Sequence, residues 1–280
     1  MSGSPITPPS SDPGEEETPP LPVPAGLTDL MAGRRWMRQH TGQSGSGVYR
    51  LLHPEAPDLY LKQAVGPAVA SLAEEMTRFH WLAGQRVMVP EVLAFLSVGE
   101  TAWLVTTALL GRTAHDCLCE ADTATRRDIV TEIARFLRSF HELPVDDCPF
   151  NSGHAMWLSH ARQRMADGDV DTGAFDEEHA GWPPFQVWQK MMTLLPMTVD
   201  PVVVHGDFTL DNVLMVDGRV TGCVDVGRAG TADRYHDIAP LWNTLRPFGR
   251  DLQAAFLHDY RILRPDDRKL RFHLCLDEFF

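Results

Sequence analysis

Apolar residues in the first part of the chain fall in short β-branched or aromatic runs: Val48-Tyr49-Arg50-Leu51-Leu52, Leu59-Tyr60-Leu61-Lys62, Val92-Leu93-Ala94-Phe95 and Trp103-Leu104-Val105-Thr106. Their length and content predict strands. Between the second and third runs Val69, Leu72, Met76, Phe79 and Ala83 step by 3, 4, 3 and 4, which lines one face of a helix. A small sheet with one packed helix is therefore expected from Ala25 to about Leu109. From Gly111 onward helical spacing dominates, as in the run from Arg127 to Leu137. A short β-rich stretch over residues 202–226 interrupts it, and no repeat at solenoid periods is present.

Residues 1–24 break this pattern. They hold eight prolines and four acids, with no Lys or Arg and no apolar run longer than two. Such a segment buries too little surface to offset its ordering entropy, so a disordered tail is expected. It has neither the basic start nor the apolar core of a signal peptide. The domain organisation expected is thus a Pro- and acid-rich tail over 1–24, an N-terminal lobe and hinge over 25–109, and a C-terminal lobe over 110–280.

The 280 residues carry 38 acids against 25 Lys and Arg, a formal charge of −13. That charge repels nucleic acid and favours a cationic partner. Hydrophobic residues make up 44% with no apolar run of membrane-spanning length, so neither a nucleic-acid nor a membrane partner is expected. Five cysteines at irregular spacing do not form a disulfide framework and suit a reducing cytoplasm. His115, Cys117 and Cys119 have no second paired ligand set for zinc.

The chemistry concentrates after Val202-Val203-Val204. His205-Gly206-Asp207 is followed by Asn212, then Val213 to Val216, the pair Asp217-Gly218, and Arg219 to Asp225. Asp-Gly between two β-rich runs signals a hairpin, because both turn positions take positive φ. Pairing outward sets Val216 opposite Arg219 and Asn212 opposite Cys223, with Asp225 roughly 7 Å further along the strand. An amide oxygen and a carboxylate then meet at one end of the hairpin, beside the loop carrying Asp207. Two hard oxygens suit Mg²⁺ completed by water and phosphate. A third carboxylate held off the metal suits a base for a hydroxyl proton. Asp-x₄-Asn with a later Asp-x-Gly is the arrangement of a kinase catalytic loop and metal-binding loop.

Such a site also needs a cation for nucleotide phosphates, held by an acid on a helix. Lys62 ends a strand, and on the following helix Glu75 flanks the apolar face while Glu74 points to water. Glu75 is the expected partner of Lys62. Upstream, Gly42-Gln43-Ser44-Gly45-Ser46-Gly47 lets backbone N–H groups approach phosphate, although an ordinary hairpin loop reads the same way.

With these residues in place, the chain resembles the aminoglycoside 3′-O-phosphotransferases, antibiotic-resistance enzymes, and most of all their type I kanamycin/neomycin branch. The segments that carry the resemblance are 205–212, 224–239, Leu241-Trp242-Asn243 and the ending 272–280, within a span from about Thr41 to Phe280. The resemblance implies an α+β, protein-kinase-like two-lobed fold and phosphorylation of an aminoglycoside 3′-hydroxyl by ATP or GTP with Mg²⁺ in the bacterial cytoplasm. It implies Asp207 as base, Asn212 and Asp225 on the metal, Lys62 on the phosphates and Glu75 fixing Lys62. It further implies Ser44 in the nucleotide loop, Thr106 and Ala108 pairing with the nucleobase, and Arg228 near the transferring phosphate.

An acid-only run over residues 165–181 and the ending Asp277-Glu278-Phe279-Phe280 are either solvated surface or a pocket for a polycation. The resemblance places Asp176, Glu177, Asp277, Glu278 and Phe280 with its carboxylate in the drug pocket. Asn243 stands where another branch has a substrate-contacting Arg. Monomer and dimer stay equally open. Two rival readings remain: another small-molecule kinase of this fold, acting on choline, homoserine or a macrolide, and a catalytically inactive binding module.

Overall fold

A computed structural model describes residues 15–39, 47–195 and 197–280. The chain divides into two compact units, one formed by Met1–His80 and Pro90–Ala108, the other by Trp81–Val89 and Leu109–Phe280.

In the first unit β1 (Glu15–Thr18), α1 (Thr28–Met31), β2 (Arg35–Gln39), β3 (Gly47–Leu52), β4 (Leu59–Val65), α2 (Ala68–Gly84), β5 (Val92–Val98) and β6 (Thr101–Thr107) follow in order. The strands form one antiparallel sheet in the order β1-β2-β3-β4-β6-β5. Alternate positions turn Tyr49 and Leu51 on β3, and Leu59 and Leu61 on β4, into a core with Leu27, Trp36, Trp103 and Val105. Each large apolar side chain so buried stabilises the unit by about 1.5–3 kcal/mol.

The tail expected over 1–24 is corrected from residue 15 onward. Glu15–Thr18 pairs with β2, Glu15 opposite Gln39 and Thr18 opposite Trp36. Leu21 and Val23 pack on the core. Composition alone misses this because the stabilising partners are remote: the open edge of β2 supplies backbone hydrogen bonds, and Arg50 lies 3.5 Å from the buried Glu15 carboxylate. Residues 1–14 of that segment lie outside the described residues.

The second unit contains β7 (Arg112–Thr113), α3 (Ala114–Glu120), α4 (Thr123–His141), α5 (His154–Asp167), α6 (Pro184–Met192), β8 (Pro201–Val204), β9 (Val213–Val216), β10 (Arg219–Cys223), β11 (Gly230–Asp233), α7 (Tyr235–Thr244), α8 (Arg250–Tyr260) and α9 (Asp267–Asp277). Ile129, Val130, Ile133 and Leu137 on α4 form its main core with Ile238 and Leu241 on α7 and Phe256 on α8. The α4 helix starts where the Asp122 carboxylate accepts the Thr125 N–H at 2.8 Å. A second core joins Trp157 on α5, Val187 and Met191 on α6, and Phe272, Leu276 and Phe279.

The β9–β10 hairpin forms around Asp217 and Gly218, both at positive φ, with Val216 opposite Arg219. Its register then departs from simple counting. A bulge at Thr221 sets Cys223 opposite Val213, and the Val224 N–H donates to the Asn212 carbonyl at 3.0 Å. Asn212 thus faces Val224 rather than Cys223, one residue nearer Asp225. The bulge requires Gly222, whose φ is +151° and whose missing Cβ would lie 2.3 Å from the Met88 carbonyl oxygen. Gly222→Ala should therefore lower stability by at least about 2 kcal/mol, read as a fall in Tm of roughly 4–8 °C. An unchanged Tm would show that the strand relaxes around the new methyl.

Candidate active site

In the first unit β4 and α2 bring Lys62 and Glu75 together, with Lys62 Nζ donating to Glu75 Oε1 at 2.7 Å. Glu75 is buried at 7% exposure, which makes this carboxylate a fixed anchor for the ammonium. Glu74 points outward, its carboxylate paired with Arg78, four residues on, at 3.0 Å. The helical phase thus selects the right acid of the two. Ser44 lies outside the described residues.

Two expected nucleobase partners are already engaged. Thr106 is buried in β6, in register with Tyr60 on one side and Val92 on the other. The Ala108 N–H donates to the Asp58 carbonyl at 3.0 Å, so this amide is committed to the sheet. Among the described residues the amide of Leu109 donates to no backbone carbonyl.

In the second unit β8, paired with β11, delivers the loop His205-Gly206-Asp207. The fully buried Asp237 on α7 holds that loop: Oδ2 accepts the His205 N–H and Oδ1 the Gly206 N–H, each at 2.7 Å. Oδ2 also meets His141 Nε2 at 2.9 Å, and His141 Nδ1 meets the Tyr260 hydroxyl at 2.6 Å. Burial alone would push the Asp237 carboxyl up. The His141 hydrogen bond and the nearby imidazoles of His205 and His236 outweigh it and hold the carboxyl below its ordinary value. Gly206 has φ +88°, and a Cβ there would lie 2.3 Å from the Arg228 carbonyl oxygen. Only glycine fits where the loop crosses that backbone.

His205 supports the loop. Its Nε2 donates to the Val224 carbonyl at 2.8 Å, which leaves Nδ1 as acceptor for the Asp207 N–H at 3.3 Å. The Asn212 Nδ2 donates to the Asp207 carbonyl at 2.8 Å. With the amide nitrogen so used, Asn212 Oδ1 is the atom left to ligate. Asp225 is exposed and adopts a left-handed backbone, φ 57° and ψ 47°, a conformation costing roughly 1–2 kcal/mol in a non-glycine residue. Among the described residues no three His, Cys, Asp or Glu side chains converge as metal ligands. Asn212 and Asp225 are the residues here that could offer side-chain oxygens to Mg²⁺, which accepts one or two such ligands with water and phosphate.

Arg228 ends the 3₁₀ turn that follows Asp225, its guanidinium 5.3 Å from the Trp157 ring centroid and 5.4 Å from that of Phe280. The Ser152 hydroxyl donates to the Arg228 carbonyl at 2.7 Å and accepts the Trp157 indole N–H at 2.9 Å. Asp277, at the end of α9, lines the same small cavity as Arg228, Trp157 and Phe280. The surrounding protein and then the Asp207 carboxylate push its carboxyl up to about 6, against the pull of Arg228. Asp176 and Glu278 add to the same repulsion.

The expected drug-pocket acids divide. Asp176 is held by Arg246 at 2.8 Å and touched by Asn243 at 3.5 Å, whereas Glu177 is exposed. Glu278 is turned to His179, whose Nδ1 lies 2.6 Å from Oε1. Sequence patterns miss Asp237, Trp157 and His179. For Asp237 a signal existed: a lone acid inside the apolar run Tyr235 to Leu241.

A Lys–Glu pair on a sheet-and-helix unit, and an Asp-x₄-Asn loop with a later Asp on a helical unit, define the class of kinase-like phosphotransferases. The chain belongs to the phosphotransferase enzyme family, whose model matches residues 36–273. It is 46% identical over 249 residues to an aminoglycoside 3′-phosphotransferase of Escherichia coli, covering 89% of this chain and 91% of the relative. Among solved structures it is similar to an aminoglycoside-3′-phosphotransferase of type VIII, with a TM-score of 0.82 and 35% identity over 91% of this chain and 97% of that one. It is also similar to a Streptomyces rimosus aminoglycoside phosphotransferase in complex with ADP and streptomycin, with a TM-score of 0.74 and 30% identity over 91% and 97% of the two chains.

The loop geometry makes Asp237 a residue to test without touching Asp207. Asp237→Asn keeps the shape but turns an N–H₂ group toward backbone donors, and each amide left unsatisfied costs about 1–3 kcal/mol. We expect a stability loss of about 2–4 kcal/mol in denaturant unfolding and a fall in phosphotransfer of at least roughly tenfold from loop displacement. Wild-type values of both in the Asn variant would contradict the anchoring role.

Proposed function

We propose that this chain is an aminoglycoside 3′-phosphotransferase that confers antibiotic resistance, transferring the γ-phosphoryl group of ATP or GTP to the drug's 3′-hydroxyl. The observation that carries this reading is the 46% identity to the E. coli 3′-phosphotransferase, joined to the presence in the sequence of Lys62, Glu75, Asp207, Asn212 and Asp225.

In this reading Lys62, braced by Glu75, binds the α- and β-phosphates. The base-facing amide is that of Leu109, because the Ala108 N–H is spent inside the sheet. Asn212 Oδ1 and the Asp225 carboxylate would hold Mg²⁺, which when bound neutralises charge on the phosphate oxygens. Asp207 orients the 3′-hydroxyl and accepts its proton as the oxygen forms its bond to Pγ. The Pγ–O bond to the leaving nucleoside diphosphate breaks, and the diphosphate keeps the electron pair. Because the transition state is loose, positioning carries most of the rate. Arg228, held between Trp157 and Phe280, stands ready for phosphate charge. The added phosphate lowers the drug's positive charge and disturbs its RNA contacts.

Asp176, Glu177 and Asp277 supply the field for the ammonium groups. One charge pair at about 5 Å is worth roughly 3 kcal/mol at an effective dielectric of 20, before desolvation and salt reduce it. We place the activity in the bacterial cytoplasm, where nucleotide is abundant and the five free cysteines stay reduced. Among the described residues no helix is long and apolar enough to cross a membrane.

Two measurements test this function. Kanamycin A should be phosphorylated in the presence of ATP, whereas tobramycin, which lacks the 3′-hydroxyl, should not. Asp207→Ala should abolish turnover while nucleotide affinity stays within about twofold. Turnover of both drugs would defeat the regiochemistry, and turnover of neither would favour a different substrate class.

A pH profile tests Asp277. Its carboxyl is raised to about 6 in the free protein, so it is protonated below that pH, and a bound polycation favours the ionised form. The KM for kanamycin should therefore rise roughly fourfold from pH 8 to 5.5 relative to Asp277→Asn, in which this component is absent. Parallel profiles for the two proteins would remove Asp277 from the pocket.

A further inference from the structure

Glu278 is half-buried at the C-terminal end of α9 and has an unusual environment. Its side chain is only 6% exposed, Oε1 meets His179 at 2.6 Å, and Oε2 is buried with no hydrogen-bond partner among the described residues. Burial pushes the carboxyl up, Asp176 adds repulsion, and the His179 hydrogen bond pulls it back. A carboxylate with one oxygen already unsatisfied depends on the donor that serves the other.

His179 is itself fixed on its far side. The Lys190 ammonium on α6 lies 2.8 Å from Nε2. An ammonium only donates, so Nε2 is the acceptor, and in the neutral ring Nδ1 carries the proton that reaches Glu278. Lys190 also pairs with Glu178 at 2.5 Å and lies 5.6 Å from the centroid of the Trp182 ring, which packs against His179 at 4.9 Å. His179 is 3% exposed, so solvent does not replace either contact.

We infer that His179 is a positioning residue for the acidic pocket: held by Lys190 in the Nδ1–H tautomer, it keeps Glu278 ionised and in one orientation beside Asp176 and Asp277. This inference rests on the aminoglycoside reading above. Without the Nδ1 donor, Glu278 has no hydrogen-bond partner for either oxygen among the described residues. It then takes up a proton or swings away, and the pocket loses a negative charge that draws the polycation. None of His179, Lys190 and Glu278 belongs to the residues assigned above to the phosphates or the metal, so the expected effect falls on drug affinity.

Side-chain isosteres separate this role from packing. His179→Asn keeps a donor near Nδ1, whereas His179→Gln keeps polarity near Nε2 and removes the donor to Glu278. The expected result is a KM for kanamycin A raised roughly tenfold in His179→Gln, the usual loss for a charge-assisted hydrogen bond. The kcat and the KM for ATP should stay within about twofold, and His179→Asn should stay near wild type. In a Glu278→Gln background His179→Gln should add nothing further. Equal behaviour of the Asn and Gln variants, or an effect confined to kcat, overturns the inference. Should His179→Gln fail to fold, the ring ¹⁵N shifts of His179 in the wild-type protein decide: a neutral Nδ1–H ring supports it, and an Nε2–H or doubly protonated ring overturns it. A wild-type chain that turns over no aminoglycoside sinks the functional reading and this inference together, whereas turnover with unchanged KM in His179→Gln sinks the inference alone.

Discussion

One buried carboxylate organises the chemistry of the second unit. Asp237 has no solvent exposure, and its oxygens accept two consecutive backbone N–H groups of the loop that ends in Asp207. A fully buried charge is costly unless hydrogen-bonded and balanced. The His141 contact, backed by Tyr260, supplies part of that balance. The energetic consequence is a loop with few alternatives, since any displacement strands the carboxylate. Gly206, His205 and Asn212 follow from that constraint: a crossing that only glycine fits, a ring tied to the Val224 carbonyl, and an amide locked on the Asp207 carbonyl. The loop of the candidate base and the Asn212 side chain are thus placed by hydrogen bonds to backbone groups.

The second theme is the management of negative charge. Desolvation by the surrounding protein, and after it repulsion from Asp207, Asp176 and Glu278, raises the Asp277 carboxyl. The protein tolerates the cluster by giving its members different restraints: Arg246 holds Asp176, Arg228 faces Asp277, and His179 holds Glu278. A polycationic ligand relieves the repulsion that remains.

Much of this was legible in the sequence. The apolar phase of α2 distinguished Glu75 from Glu74 because both lie on one regular helix, where angle follows from spacing. Asp217-Gly218 located the hairpin because positive φ is a local property. The register beyond it was not legible, since the bulge at Thr221 answers to the approach of the Met88 carbonyl, a partner remote in sequence. The same reason hides the strand Glu15–Thr18, whose stabilising edge and whose partner Arg50 come later in the chain. It also hides the use of the Ala108 amide by Asp58 and of Glu278 by His179. Side-chain type told which chemistry was present, and tertiary contacts decided which atoms were free to perform it.

The most direct measurement is a crystal structure of the complex with kanamycin A and a non-hydrolysable ATP analogue. The account predicts the Asp207 carboxylate within hydrogen-bond reach of the drug's 3′-oxygen, about 2.6–3.2 Å, with Asp237 still holding the His205 and Gly206 amides. A complex in which another hydroxyl faces Asp207, or in which the loop binds the drug after leaving Asp237, would contradict it.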